Sequence, residues 1–151
     1  MNYKYRRVDS SDPDFQTFVR LLDAELASYN GERDEFYSRF NTIQYIKNAI
    51  LIYDENDQAL ACGAFKKYDE DTVEIKRMYV RPESRRLGLA VQVLAQLEIW
   101  AKELGYSYAV LETGDFLPGT IALYQKCGFE ITPNYGQYAG VVGSVCLRKT
   151  V

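Results

Sequence analysis

Tyr3, Tyr5 and Val8 punctuate a basic stretch that reads as a short first strand, Tyr3 to Val8. Asp12-Pro13-Asp14 then supplies a helix-start signal, and Phe15, Phe18, Val19, Leu22 and Leu26 fall on one face of the amphipathic helix that follows. A second helical stretch is predicted over Arg33 to Phe40. Ala49 to Tyr53, Ala59 to Tyr68 and Thr72 to Val80 read as strands, separated by the turn clusters Glu55-Asn56-Asp57 and Asp69-Glu70-Asp71. That succession predicts an antiparallel meander.

After Arg81-Pro82 the apolar period changes from two to that of a helix. Ala90, Val93, Leu94, Leu97, Ala101 and Leu104 share one stripe, and Gly105 is placed to end it. Tyr106 to Thr113 follows as an almost wholly apolar strand. A strand, a long helix and a buried strand imply a crossover that leaves the two strands parallel. A shorter helix, Pro118 to Lys126, opens on a first-turn proline and stops before Gly128, ahead of strands near Phe129 to Ile131 and Ser144 to Lys149. The expected class is mixed α/β (α+β): a central, mostly antiparallel sheet with one parallel pair and flanking helices.

Composition narrows this picture. The 151 residues, 47% hydrophobic and 26% charged, suit one ordinary globular domain spanning residues 1–151 with no linker. Apolar runs fall far short of a bilayer span, and the opening Met1-Asn2-Tyr3-Lys4-Tyr5 lacks the apolar region of a signal peptide, so a cytoplasmic protein without a membrane partner is expected. A net charge of −3 and no long Lys/Arg run argue against general nucleic-acid binding. Cys62, Cys127 and Cys146 are widely spaced among apolar neighbours, the pattern of buried free thiols. The chain contains no histidine, which removes Ser-His-Asp and Cys-His catalysis and the commonest transition-metal ligand. Proton transfer then falls to carboxylates, Tyr, Lys, Cys or water, and no metal is expected.

The chemistry begins at Arg85-Arg86-Leu87-Gly88-Leu89-Ala90, where the crossover helix starts. Two arginines at a helix N-terminus oppose the helix dipole, a conflict that a bound anion resolves. Gly88 lets backbone N–H groups close on a phosphate, and the small Ala90 lets the helix sit tightly on the sheet. An exposed turn with solvated arginines is the competing reading. Valine at position 88 is expected to spare the fold unless Gly88 has a positive φ.

The stretch Glu74 to Glu130 resembles the core of the GNAT acetyltransferase superfamily. Arg85, Gly88 and Ala90 match its pyrophosphate signature, after the strand Glu74-Ile75-Lys76-Arg77-Met78-Tyr79-Val80 and Pro82. Ala122-Leu123-Tyr124-Gln125-Lys126-Cys127-Gly128-Phe129 resembles its second block. Leu111-Glu112-Thr113-Gly114 and Pro133-Asn134-Tyr135-Gly136-Gln137-Tyr138 are similar to a bacterial branch of acetyltransferases. One departure stands out: Phe116-Leu117-Pro118-Gly119 occupies the place where many members carry a cofactor-holding Asn.

The resemblance implies a GNAT fold whose parallel strands splay around acetyl-CoA as cosubstrate. Arg85, Arg86, Leu87, Gly88, Leu89 and Ala90 would hold the pyrophosphate, and Met78, Tyr79 and Val80 would meet the pantetheine arm and polarise the thioester carbonyl. Tyr124 is the implied acid for the departing thiolate; packing, with a satisfied hydroxyl, is the alternative in a chain with 13 Tyr. Glu74 is the preferred base, directly or through water, and Glu112 competes with it. Tyr37, Asn41, Tyr135 and Tyr138 are candidates for the acceptor pocket, and Lys76 or Arg77 for a substrate carboxylate. The implied reaction is direct attack of a small-molecule or amino-acid-like amine in a ternary complex. The alternatives are a noncatalytic CoA-binding or sensing domain, a peptide or protein N-acetyltransferase, and a structural partner-binding protein. Homodimer formation stays open.

Overall fold

The computed structural model describes residues 2–30 and 45–151. The helix expected over Arg33 to Phe40 and the candidates Tyr37 and Asn41 lie outside the described residues. In chain order the elements are β1 (Lys4–Val8), α1 (Pro13–Asn30), β2 (Asn48–Tyr53), β3 (Ala59–Lys67), β4 (Thr72–Val80), a 3₁₀ turn (Pro82–Ser84), α2 (Leu89–Glu103), β5 (Tyr108–Gly114), α3 (Pro118–Lys126), β6 (Glu130–Thr132), a second 3₁₀ turn (Gly136–Tyr138) and β7 (Ser144–Thr150). The seven described strands form one sheet in the order β1-β2-β3-β4-β5-β7-β6. β1 with β2, β2 with β3, β5 with β7 and β6 with β7 run antiparallel, whereas β4 and β5 run parallel. The expected mixed α/β class and its parallel pair are both present.

Local chemistry accounts for the element ends. Asp12 caps α1: its carboxylate accepts from Phe15 N–H at 3.0 Å and its carbonyl from Gln16 N–H at 3.0 Å, with Pro13 in the first turn. α2 ends on a left-handed Gly105 (φ 93°), with Tyr106 N–H reaching back to Ala101 O at 3.1 Å. α3 ends the same way. Gly128 has φ 98°, and Phe129 N–H donates to Tyr124 O at 3.0 Å.

By contact density the described residues divide into two compact units, Met1–Phe65 with Arg77–Leu97 and Lys66–Lys76 with Glu98–Val151. β3, β4 and α2 each contribute residues to both. In the first unit Phe15, Phe18, Val19 and Leu22 of α1 bury against Ala49, Leu51, Tyr53, Ala59, Cys62, Ala64 and Tyr79. Burial of each large apolar side chain stabilises by roughly 1.5–3 kcal/mol. Gly63 brings β3 close to α2, since a Cβ there would lie 2.5 Å from Met78 Sδ and 2.6 Å from Val93 Cγ1.

The α2 stripe differs from expectation at both ends. Leu89, Val93, Leu94, Leu97 and Ala101 are buried, Ala90 is half-buried, and Leu104 is 53% exposed. The helix closes at Glu103, and Leu104, whose N–H still reaches back to Trp100 O at 3.1 Å, lies just past its end, where the stripe is no longer covered. Cys62, Cys127 and Cys146 are free thiols, but Cys127 is only half-buried. Among the described residues no helix is long and apolar enough to cross a membrane.

Candidate active site

The turn after β4 is built from backbone that cannot yet be helical. Arg81 anchors its start, its N–H donating to Leu60 O at 3.0 Å and its Nε to Ala59 O at 2.8 Å. Arg86 (φ 67°) and Gly88 (φ 77°) are left-handed, so α2 begins at Leu89 and not at Arg85 as expected. The first helical bond runs from Gln92 N–H to Gly88 O at 3.2 Å. The N–H groups of Leu89, Ala90 and Val91 therefore precede any carbonyl one turn back, and Gly88 has no side chain to cap them. Among the described residues, Gly88 and its two chain neighbours aside, no heavy atom lies within 4 Å of the place a Gly88 Cβ would occupy. Three donors without a helical carbonyl and the positive end of the helix dipole thus follow directly on the uncrowded Gly88, an arrangement suited to an anion.

Arg85 and Arg86 have different surroundings. Arg86 is exposed, as is Leu87. Arg85 donates from Nε to Val80 O at 2.9 Å and from Nη2 to Glu25 at 2.8 Å, with its guanidinium 5.6 Å from the Tyr79 ring centroid. It pins the loop to the end of β4 and to α1, and Glu25 already balances its charge.

Upstream, Arg77 is left-handed (φ 59°) in the middle of β4, and its side chain is 5% exposed in a 2.6 Å ion pair with Asp23. Cys62 Sγ donates to Arg77 O at 3.2 Å. This guanidinium, an expected partner for a substrate carboxylate, is already matched by Asp23. Among the described residues the β4–β5 ladder has three pairs, the last being Glu74↔Val110, and β4 continues beyond them to Val80. Met78 and Val80 are half-buried there, while Tyr79 is buried against Phe18 with ring centroids 5.6 Å apart.

The second unit gathers the candidate proton-transfer groups. Tyr124 lies on α3, buried, with the Phe129 ring edge-on at 5.8 Å. Burial and then the neighbouring Cys127 push its phenol well above the usual tyrosine range, so it stays protonated. Among the described residues its hydroxyl has no hydrogen-bond partner, and no side-chain polar atom is both fully buried and unpartnered.

Glu74 is 3% exposed. Its Oε2 accepts from the Tyr135 hydroxyl at 2.6 Å, and its Oε1 lies 3.7 Å from Lys66 Nζ. Glu112, half-buried, pairs in register with Cys146 of β7. Tyr138 is buried, its phenol raised by burial, then by the charges of Glu112 and Glu74. Glu74, Glu112, Tyr135 and Tyr138 thus fall into one neighbourhood. Sequence reasoning missed Lys66 and Tyr68. The hairpin signal could have found Lys66: Tyr68 N–H donates to Thr72 O at 2.9 Å, and that register sets Lys66 opposite Glu74. No local signal ties Tyr135 to Glu74.

Comparison with known proteins adds an independent line. The family model described as Acetyltransferase (GNAT) family matches residues 16–129. A Schizosaccharomyces pombe protein described as an uncharacterized N-acetyltransferase is 41% identical over 87 residues, 57% of this chain and 53% of that protein. The alignment thus spans about half the length of that curated relative. Among solved structures, one from Klebsiella pneumoniae described as an acyl-CoA N-acyltransferase superposes with a TM-score of 0.82 at 25% identity, covering 98% of this chain and 97% of that one. A GNAT family acetyltransferase from Elizabethkingia anophelis with acetyl-CoA bound has a TM-score of 0.71 at 21% identity, with 99% of each chain covered. With the family model spanning most of the sequence and the turn geometry and strand order in agreement, this chain belongs to the GNAT acetyltransferase family.

Proposed function

We propose that this protein transfers an acetyl group from acetyl-CoA to the primary amine of a small, amino-acid-like molecule, by direct attack with both substrates bound. The observation that carries the reading is the turn before α2, where Gly88 at φ 77° opens space over the uncommitted N–H groups of Leu89, Ala90 and Val91. A diphosphate fits this cradle. Arg86 supplies charge at its rim, and Arg85 holds its shape through Val80 O and Glu25. The acetyl-CoA in the Elizabethkingia relative supports this ligand.

When bound, acetyl-CoA supplies the activated acetyl thioester. The backbone of Met78, Tyr79 and Val80, past the part of β4 that pairs with β5, offers hydrogen bonds to an extended arm, and an N–H there polarises the thioester carbonyl. Tyr124 donates its hydroxyl proton to the departing sulfur. Glu74 accepts the proton of the attacking amine, with Glu112 as the competing base. Tyr138 lines the acceptor side, and outside the described residues Tyr37 and Asn41 remain candidates for it. A cytoplasmic location belongs to the same reading, which is compatible with either a monomer or a homodimer.

The test is an acceptor screen over amino acids, polyamines, aminoglycosides and peptides, following release of free CoA thiol. Turnover on a small amine is the expected result. Acetyl-CoA binding without turnover on any acceptor would favour a sensing domain, and turnover on peptides alone would favour a protein acetyltransferase.

A further inference from the structure

Tyr135 is not one of the second-block residues, yet it makes the shortest contact to Glu74. We propose that Tyr135 is the positioning residue for Glu74, its hydroxyl fixing the carboxylate through Oε2 and leaving Oε1 as the oxygen that takes up a proton. This inference rests on the reading of Glu74 as base.

Three features make Tyr135 a fixed donor. Its ring stands edge-on to Tyr68 at 5.1 Å and 79°, and edge-on to Tyr138 at 5.7 Å and 82°. Such pairs hold both rings in orientation. The next residue, Gly136, turns left-handed (φ 51°), and a Cβ there would lie 3.5 Å from Tyr68, so the chain passes closely around that ring. Burial, followed by the charge and hydrogen bond of Glu74, raises the Tyr135 phenol far above its ordinary range. It therefore remains a neutral donor to Glu74. A donor to the charged form of a carboxylate favours that form, and it restricts the rotamers that a lone buried Glu would sample.

Other groups also face Glu74: Lys66 from β3, Glu112 from β5, Cys146 from β7 and Tyr138 from the second 3₁₀ turn. The experiment must separate Tyr135 from these. The full chain labelled with [ζ-¹³C]tyrosine is followed by NMR, with the Tyr135 resonance assigned by its loss in Tyr135→Phe. In Glu74→Gln the Tyr135 Cζ resonance should move, and in Glu112→Gln it should stay in place. On the amine found by the screen, Tyr135→Phe should lower kcat roughly 10-fold or more and leave KM for that amine nearly unchanged, because the carboxylate keeps its place in the site but loses the donor that orients it. Tyr68→Phe, which keeps the Tyr135 hydroxyl, should retain both constants. A Tyr135 Cζ resonance that ignores Glu74→Gln, an unchanged kcat in folded Tyr135→Phe where Glu74→Gln has lost turnover, or an equal loss in Tyr68→Phe would overturn the proposal. Failure of the base reading shows separately, as unchanged turnover of Glu74→Gln on the same amine, whatever the Tyr135 resonance does.

Discussion

Gly88 separates the fold's needs from the ligand's, because its environment is open but its backbone is not permissive. Among the described residues a Cβ at this position meets nothing within 4 Å beyond its chain neighbours, so Gly88→Ala creates no clash with them. Its cost comes from φ 77°, a conformation that penalises an L-residue by roughly 1–2 kcal/mol. At about 2–4 °C per kcal/mol for a domain of this size, Tm should fall by roughly 2–8 °C. Gly88→Val adds a β-branch to the same strained backbone and should cost more. The expectation that valine spares the fold held only without a positive φ, so alanine and asparagine are the better probes. Asparagine tolerates the left-handed region, and Gly88→Asn should melt close to wild type. Both variants place a side chain where a diphosphate would approach Leu89, Ala90 and Val91. Loss of one hydrogen bond to a charged group, worth about 1.5–3 kcal/mol, weakens binding roughly 10- to 150-fold. Calorimetric titration with acetyl-CoA and desulfo-CoA measures this, alongside thermal melting. A folded Gly88→Asn protein that binds acetyl-CoA as tightly as wild type would refute the assignment of this loop.

Further outcomes follow from the same geometry. Tyr124→Phe should lower kcat on a verified acceptor by roughly 10²-fold while leaving acetyl-CoA affinity nearly unchanged, since in the proposed mechanism its hydroxyl acts only as the sulfur departs; unchanged turnover removes it from that mechanism. Of Glu74→Gln and Glu112→Gln, the one that removes the base should abolish the acidic limb of the kcat/KM profile, and if neither does, water or a neutral amine takes the role. Arg77→Gly should be more stable than Arg77→Ala by about 1 kcal/mol in urea melts, because both lose the Asp23 pair but only alanine keeps a Cβ at φ 59°. The usual strand preference is the reverse, so a more stable alanine variant would show that the left-handed backbone is not retained.

Elements closed by local chemistry are legible in the order of residues alone. Thr72–Val80 and Pro118–Lys126 have the bounds expected of them, because Asp69-Glu70-Asp71, Pro82, Pro118 and Gly128 act on backbone only a few residues away. The same locality makes the turn before α2 readable, since Gly88 and Ala90 act through their own small size. The charged and hydroxyl partners are not readable in this way. Arg85 has the pattern of an anion ligand, yet it is bound to Glu25, 60 residues earlier. Arg77 has the pattern of an available cation, yet Asp23, 54 residues earlier, engages it, and its left-handed backbone carries no glycine or asparagine to announce it. Glu74 and Tyr135 are 61 residues apart and meet only once the hairpin and the second 3₁₀ turn are in place. Sterics and capping act over one turn of chain and leave their mark in neighbouring letters. Which carboxylate finds which cation or hydroxyl depends on strand register and helix docking, and those are decided by packing of the whole sheet.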